Sequence, residues 1–281
     1  MKVSRACITT EIADLGVDYA YLDHYEKSHL MDQIRSHIDT VGARPTQGQW
    51  DAAWQEIYDA ELEQPKYLQS ARTSLTTGGI FRWNQDYIST SDDSLEKKYH
   101  ESVLSNIVEH YFQDIDYVLE LGCGTGHNLE AISRIRPDLS LYGSDFTQSS
   151  LKCLRRRGIP GFLFDLRDSD QSEIPLQLKD NHTRVAILTM GALEQVGDKV
   201  EGFIKFCSSF RPQECIHVEP VVELYDPSDP VDKLAIDYHH ARGYLKGFFP
   251  ALQERDLLKS YERSTFGNTF NEGYTVLRWK T

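Results

Sequence analysis

The chain has 281 residues, 30 Lys and Arg against 43 Asp and Glu, and a formal net charge of −13 at pH 7. That balance argues against a nucleic-acid partner, whose phosphates call for clustered Lys and Arg, while the length suffices for one large α/β core with an appended subdomain. Cys7, Cys123, Cys153, Cys207 and Cys215 form no C-x-x-C pair or zinc-site spacing, and no run approaches the ~18 apolar residues of a membrane span. No metal and no membrane partner is expected, and the chain reads as cytoplasmic.

Residues 1–115 read as a mostly helical N-terminal lid or cap. Trp50, Trp54, Ile57 and Tyr58 stripe one helix face, an apolar surface expected to pack on the rest of the protein. Gly78-Gly79 breaks the pattern before Ile80-Phe81-Arg82-Trp83. Glycines there would absorb a hinge rotation, which makes Arg82 a candidate for closing over a ligand. A helix over 98–113, apolar at Val103, Leu104, Ile107, Val108 and Tyr111, leads into the next segment.

From Val118 the pattern changes. V-L-E-L runs into G-C-G-T-G and then directly into a helix at Asn128-Leu129. A strand, a glycine turn and a helix in that order present backbone N–H groups and a helix N-terminus to a ligand. Gly122, Gly124 and Gly126 leave no Cβ between chain and ligand. Glu120 would repel a pyrophosphate and suit a cation, and the spacing G-x-G-x-G departs from the dinucleotide pattern. A second apolar strand, 139–143, ends at Asp145, nineteen residues past Gly126, where a carboxylate accepts hydrogen bonds from ribose hydroxyls. Further strands at 161–164, 184–189 and 216–218 alternate with helices at 128–135, 149–157 and 199–210, which predicts a parallel sheet covered on both faces. An excursion over 221–258 separates them from paired strands at 260–266 and 274–279. The basic cluster Lys152, Arg155, Arg156 and Arg157 falls in a last helical turn, where it complements the helix dipole.

Glu120, the three glycines and Asp145 in this register resemble the first two motifs of class I S-adenosylmethionine (SAM)-dependent methyltransferases. The resemblance implies a Rossmann-like seven-stranded mixed sheet over residues 116–281, five parallel strands plus a C-terminal antiparallel pair, with helices on both faces. It implies SAM as cofactor, held by Glu120, Gly122, Gly124, Gly126, Asp145, Phe146, Asp165, Leu166 and Met190, with Arg82 added from the lid. G-A-L-E-Q-V-G, H-V-E-P-V-V-E-L-Y-D, Y-H-H-A-R-G-Y-L and F-G-N-T-F-N-E-G-Y-T-V-L-R-W look like methyltransferases of polysaccharide and secondary-metabolite biosynthesis. A small, sugar-like or natural-product acceptor is thereby implied, bearing a hydroxyl or an amine.

The 221–258 insertion is expected to build the acceptor pocket, with Tyr238, Arg242 and Tyr244 as contacts. Its helix carries His239 and His240 at adjacent positions, of which at most one faces the pocket. His239 is the expected general base, and Glu219, at the ligand-facing end of its strand, is the second catalytic candidate. His217 and His127 read as packing or capping residues. A methyltransferase-like subunit that binds SAM without turnover is the alternative to an enzyme.

Overall fold

The computed structural model describes residue 8 and residues 10–63, 79–171, 174–179 and 183–281. In chain order, β1 (Ala20–Tyr21) precedes α1 (His24–Ile38) and α2 (Gln47–Glu63). Asp23 starts α1 with a reciprocal cap, accepting from the Glu26 N–H while the Glu26 side chain accepts from its own, so two of the helix's orphan donors are satisfied. β2 (Ile80–Trp83) and β3 (Asp86–Ser89) follow, then α3 (Leu95–Tyr111). The remainder alternates: β4 (Tyr117–Leu121), α4 (His127–Ile135), β5 (Ser140–Asp145), α5 (Gln148–Arg156), β6 (Gly161–Leu163), β7 (Val185–Met190), α6 (Val200–Phe210) and β8 (Glu214–Glu219). α7 (Pro230–Arg242), α8 (Phe248–Glu254), β9 (Leu258–Glu262) and β10 (Thr275–Trp279) complete it.

The main sheet has seven strands in the order β6-β5-β4-β7-β8-β10-β9. β4 to β8 pair parallel, and β10 runs antiparallel between β8 and β9 with Val276 opposite both Val218 and Glu262. Every residue of β7 and β8 is buried, as expected of central strands covered on both faces. α3 and α4 pack on one face with Leu104, Ile107, Leu129 and Val118, and α6 and α8 cover the other with Phe203, Phe248, Leu119 and Ile187. The fold is the Rossmann-like mixed sheet that the strand pattern predicts.

The first part of the chain adds a small sheet to its helices α1, α2 and α3. β1, β3 and β2 form a second, antiparallel sheet, and β2 is tied to the loop before β10 by paired backbone hydrogen bonds between Arg82 and Gly267, 3.0 and 3.2 Å. Ile8, Phe81, Trp83 and Tyr99 share a core with Val118 and Ala186. Apolar packing is thus continuous across the expected division at residue 115. Of the expected hinge, Gly78 lies outside the described residues. Gly79 accepts from the Thr90 N–H and has no room for a Cβ, which would meet the Thr90 carbonyl oxygen at 2.5 Å. It starts a hairpin and is held there.

Candidate active site

β4, β5 and β7 end side by side, and the turn after β4 is the nearest backbone to the crevice they form. The Gly122 and Cys123 N–H groups donate to the Ser144 carbonyl at 2.8 and 2.9 Å, which brings the turn over the end of β5. Gly122 and Gly124 have φ +74° and +52°, a region costly for other residues. A Cβ would meet the Ala192 Cβ at 2.5 Å at the first position and the Trp54 ring at 3.0 Å at the second. Asp145 then fixes the turn. Its Oδ2 accepts from the Gly124 N–H at 3.1 Å, and Oδ1 accepts from the Thr147 N–H and hydroxyl at 3.0 and 2.8 Å. Burial pushes the Asp145 carboxyl above its ordinary range, against the lowering effect of these bonds.

Two connected chambers flank the turn. The smaller, about 70 Å³, lies between Asp145, Phe146, Asp165, Leu166 and Ala192. The larger, about 170 Å³, continues past Gly124 and Thr125 to Met190, Tyr238 and Tyr244. Trp50 and Trp54 wall both, stacked with centroids 5.2 Å apart. The tryptophans arrive on α2, which docks on α5: Gln47 donates to the Phe146 carbonyl at 2.5 Å, the Ser149 N–H to Asp51 at 2.9 Å and Arg156 to the Tyr58 carbonyl at 2.7 Å. The apolar stripe of α2 therefore packs as expected and, in addition, roofs the crevice.

The residues present fit SAM. The smaller chamber offers flat apolar walls for a purine, with Asp145 at the β5 edge for ribose hydroxyls. Asp165 pairs with Arg167 at 2.7 Å. Its burial alone would raise its carboxyl, but the bonds from Arg167 bring it below the usual range. Arg167 also lies over the Phe146 ring, 4.8 Å from its centroid, stiffening that wall. Gly122 and Gly124 open onto the larger chamber, where the methionine portion of SAM would run along backbone. Gly122, Gly124, Asp145, Phe146, Asp165, Leu166 and Met190 all reach one or both chambers. Glu120 is wholly buried and acts at one remove: it accepts from the Asn128 amide at 2.6 Å, Asn128 pairs with His100 at 2.7 Å, and Asn128 lines the larger chamber. Gly126 serves packing, since a Cβ there would meet the Leu154 Cδ2 at 2.6 Å.

Four assignments made from sequence are corrected. Arg82 is fully buried away from both chambers, paired with Asp232 at 2.8 Å and Glu272 at 3.4 Å. Arg263 closes the cluster by bonding the same two carboxylates, so Arg82 joins β2 to α7. Glu219 does stand at the end of β8, but its oxygens are spent on protein donors: the Thr189 hydroxyl at 2.8 Å and the N–H groups of Ala192, Leu193 and Glu194 at 3.0 to 3.2 Å. It shapes the loop after β7. His239 is fully buried, with Nε2 donating to the Leu245 carbonyl at 2.5 Å, and burial pushes its pKa down to about 4. It holds the chain that leaves α7. Arg242 donates to the carbonyls of Gly42 and Ala43 and, at 3.3 Å, to the Tyr244 hydroxyl, supporting a chamber wall from outside. His217, as expected, is buried, between Thr189 and Trp279.

The residues that sequence reasoning missed in the larger chamber include Glu96, His127, Asn268, Asn271 and Tyr274. His127 had been read as a cap, yet its ring faces the chamber 5.5 Å from that of His100. F-G-N-T-F-N-E-G-Y was the available signal, two asparagines among glycines and aromatics in the turn before β10.

The sheet order, the turn after β4 and the carboxylate ending β5 give the Rossmann-like mixed-sheet fold of class I SAM-dependent methyltransferases. No protein-family profile matches the chain. It is similar to the carboxy-S-adenosyl-L-methionine synthase of Campylobacter fetus subsp. fetus, 25% identical over 188 residues that cover 64% of this chain and 78% of the other, and to that of Campylobacter hominis, 28% identical over 96 residues, 32% and 41% of the two chains. Among solved structures it is similar to an O-methyltransferase of neocarzinostatin biosynthesis in complex with SAM and 2-hydroxy-5-methyl naphthoic acid, with TM-score 0.42, 14% identity and 68% and 59% of the chains covered. The plantazolicin methyltransferase in complex with S-adenosylhomocysteine gives TM-score 0.40 and 14% identity over 89% and 98%.

Proposed function

We propose that the protein moves the methyl group of SAM to a nucleophilic oxygen or nitrogen of a small organic acceptor. The observation that carries this reading is the junction of the two chambers at Gly122 and Trp54: one chamber is shaped for a nucleoside, and the other leads from the glycine turn to a pocket walled by Tyr238, Tyr244, Asn268 and Asn271. Bound SAM supplies an electrophilic methyl on a sulfonium. The chain's own residues then hold the acceptor in line with it, and positioning of this kind accounts for much of the rate. Trp50 and Trp54 wall both chambers. The similarity to carboxy-S-adenosyl-L-methionine synthases raises a second reading, in which SAM itself is modified.

The test is calorimetric titration with SAM, S-adenosylhomocysteine and NAD, followed by mass spectrometry of a small-molecule panel incubated with enzyme and SAM. Binding of the first two ligands and not NAD, with products heavier by one methyl, is expected. Binding without any turnover would leave a SAM-binding subunit, and a modified SAM with no methylated acceptor would establish the synthase reading.

A further inference from the structure

The smaller chamber is walled for a flat ring, and its polar side chains differ in how much of their bonding capacity is already used. Among the described side chains that line it, oxygen acceptors belong to Asp145, Asp165 and Gln195. Asp145 is held by Gly124 and Thr147 at the ribose edge. Asp165 takes three bonds from one residue: the Arg167 N–H and Nε both donate to Oδ1 at 2.9 Å, and the guanidinium also donates to Oδ2 at 2.7 Å. Three of the about four acceptor positions of that carboxylate are thereby filled, and its charge is compensated. Gln195 is different. Its Oε1 is buried and has no hydrogen-bond partner among the described residues, which is costly for an amide oxygen unless a ligand supplies a donor.

The rest of Gln195 is fixed. Its Nε2 donates to Glu194 Oε1 at 3.0 Å, which settles the orientation of the amide. Glu194 lines the larger chamber and Gln195 the smaller, so the NH2 group is spent toward the one and the oxygen is left for the other. The Gln195 backbone is held as well: its N–H donates to the Ala192 carbonyl at 3.1 Å, and its carbonyl accepts from Arg44 at 2.8 Å. Gly197 makes room for that arginine, since a Cβ there would collide with the Arg44 guanidinium. The terminal torsion of a Gln side chain is soft, so Oε1 can turn onto a donor in the chamber while Nε2 keeps Glu194.

Resting on the reading above of SAM as the bound cofactor, we propose that Gln195 reads the nucleobase: its Oε1 accepts from the 6-amino group of adenine, while Asp165, taken up by Arg167, stiffens the chamber wall. A 6-amino purine satisfies the buried oxygen. A 6-oxo purine sets a carbonyl against it, and a purine with hydrogen at that carbon leaves it unpaired. Adenine is therefore selected by one neutral amide and not by a carboxylate.

The experiment uses the full chain and calorimetric titration with S-adenosylhomocysteine and with its 6-deamino analogue, in which hydrogen replaces the amino group. Wild type should bind the first ten-fold or more tightly than the second, because a site built around a donor rejects a ligand that lacks it. In Gln195→Met the preference should fall to within three-fold, through weaker binding of S-adenosylhomocysteine. Asp165→Asn should keep the ten-fold preference. Gln195→Asn, which draws the oxygen back by one methylene, should lose the preference as Gln195→Met does, and it carries the comparison if circular dichroism shows that the Met variant does not fold. The proposal is overturned if wild type binds both ligands equally, if the folded Gln195 variants keep the preference, or if Asp165→Asn is the variant that abolishes it. Failure of wild type to bind S-adenosylhomocysteine at all would instead overturn the SAM reading beneath it.

Discussion

Asp145→Asn separates the two tasks that the structure gives this side chain. The carboxylate accepts from the Gly124 N–H and from both donors of Thr147, and it is 3% exposed. An amide has only one acceptor oxygen. If that oxygen keeps Thr147, the amide NH2 faces the Gly124 N–H, and a buried donor left unpaired costs about 1–3 kcal/mol. The bonds that remain fall from the charge-assisted range of about 1.5–3 kcal/mol to the neutral range of about 0.5–1.5 kcal/mol. Removing a buried charge offsets part of this, since burial pushes the Asp145 carboxyl up. The net expectation is about 2 kcal/mol of lost stability. S-adenosylhomocysteine affinity should fall roughly 10- to 30-fold, about 1.4–2 kcal/mol, because the ribose loses a charged acceptor and the Gly124 turn loses its tether. Urea unfolding reads the first quantity and calorimetric titration the second. Affinity within two-fold of wild type would refute the assignment of Asp145 to the nucleoside.

Three further outcomes follow from the same geometry. Trp54→Ala should weaken S-adenosylhomocysteine binding about ten-fold, while far-ultraviolet circular dichroism stays unchanged, because the ring that roofs Gly124 is lost and its helix remains docked through Gln47 and Asp51; unchanged affinity counts against the roof. Arg82→Met should cost about 3–5 kcal/mol of stability by leaving Asp232 and Glu272 to share Arg263 alone, and S-adenosylhomocysteine affinity of the folded variant should match wild type; a selective loss of affinity would return Arg82 to the site. His239 and His217 are held neutral by burial, with pKa values pushed down to about 4 and about 3. An unfolded imidazole titrates near 6.5, so the folded state binds fewer protons, and stability that is full above pH 6.5 is lost as pH falls through that value toward 4. Between pH 7.5 and 5.5 the loss should be about 2.7 kcal/mol, about 1.36 kcal/mol from each of the two groups, with a shallower slope in His239→Gln; equal stability at both values would contradict the burial of these rings.

The sequence by itself determined the sheet and the glycine turn at its edge. Strand and helix periodicity from Val118 onward is local, and a turn that needs positive φ writes itself as glycine, so Gly122, Gly124 and the carboxylate ending β5 were legible without coordinates. The small sheet of β1, β2 and β3 was not, because its strands are two to four residues long and their pairing is set by distant partners such as Gly267. Only the tertiary structure decided which polar residues reach the crevice. Glu219 and His239 stand at positions where a base was expected; the Glu219 oxygens are taken by the backbone of Ala192 to Glu194, and His239 is buried with its Nε2 on the Leu245 carbonyl and its Nδ1 unbonded. Conversely Trp54 and His127 read as packing and a cap, and it is the docking of α2 on α5 and the turn before α4 that bring them to the crevice. A side chain's chemistry is written in the sequence, but whether its polar atoms are already satisfied depends on neighbours up to about two hundred residues away, as in the bond from Arg242 to Gly42.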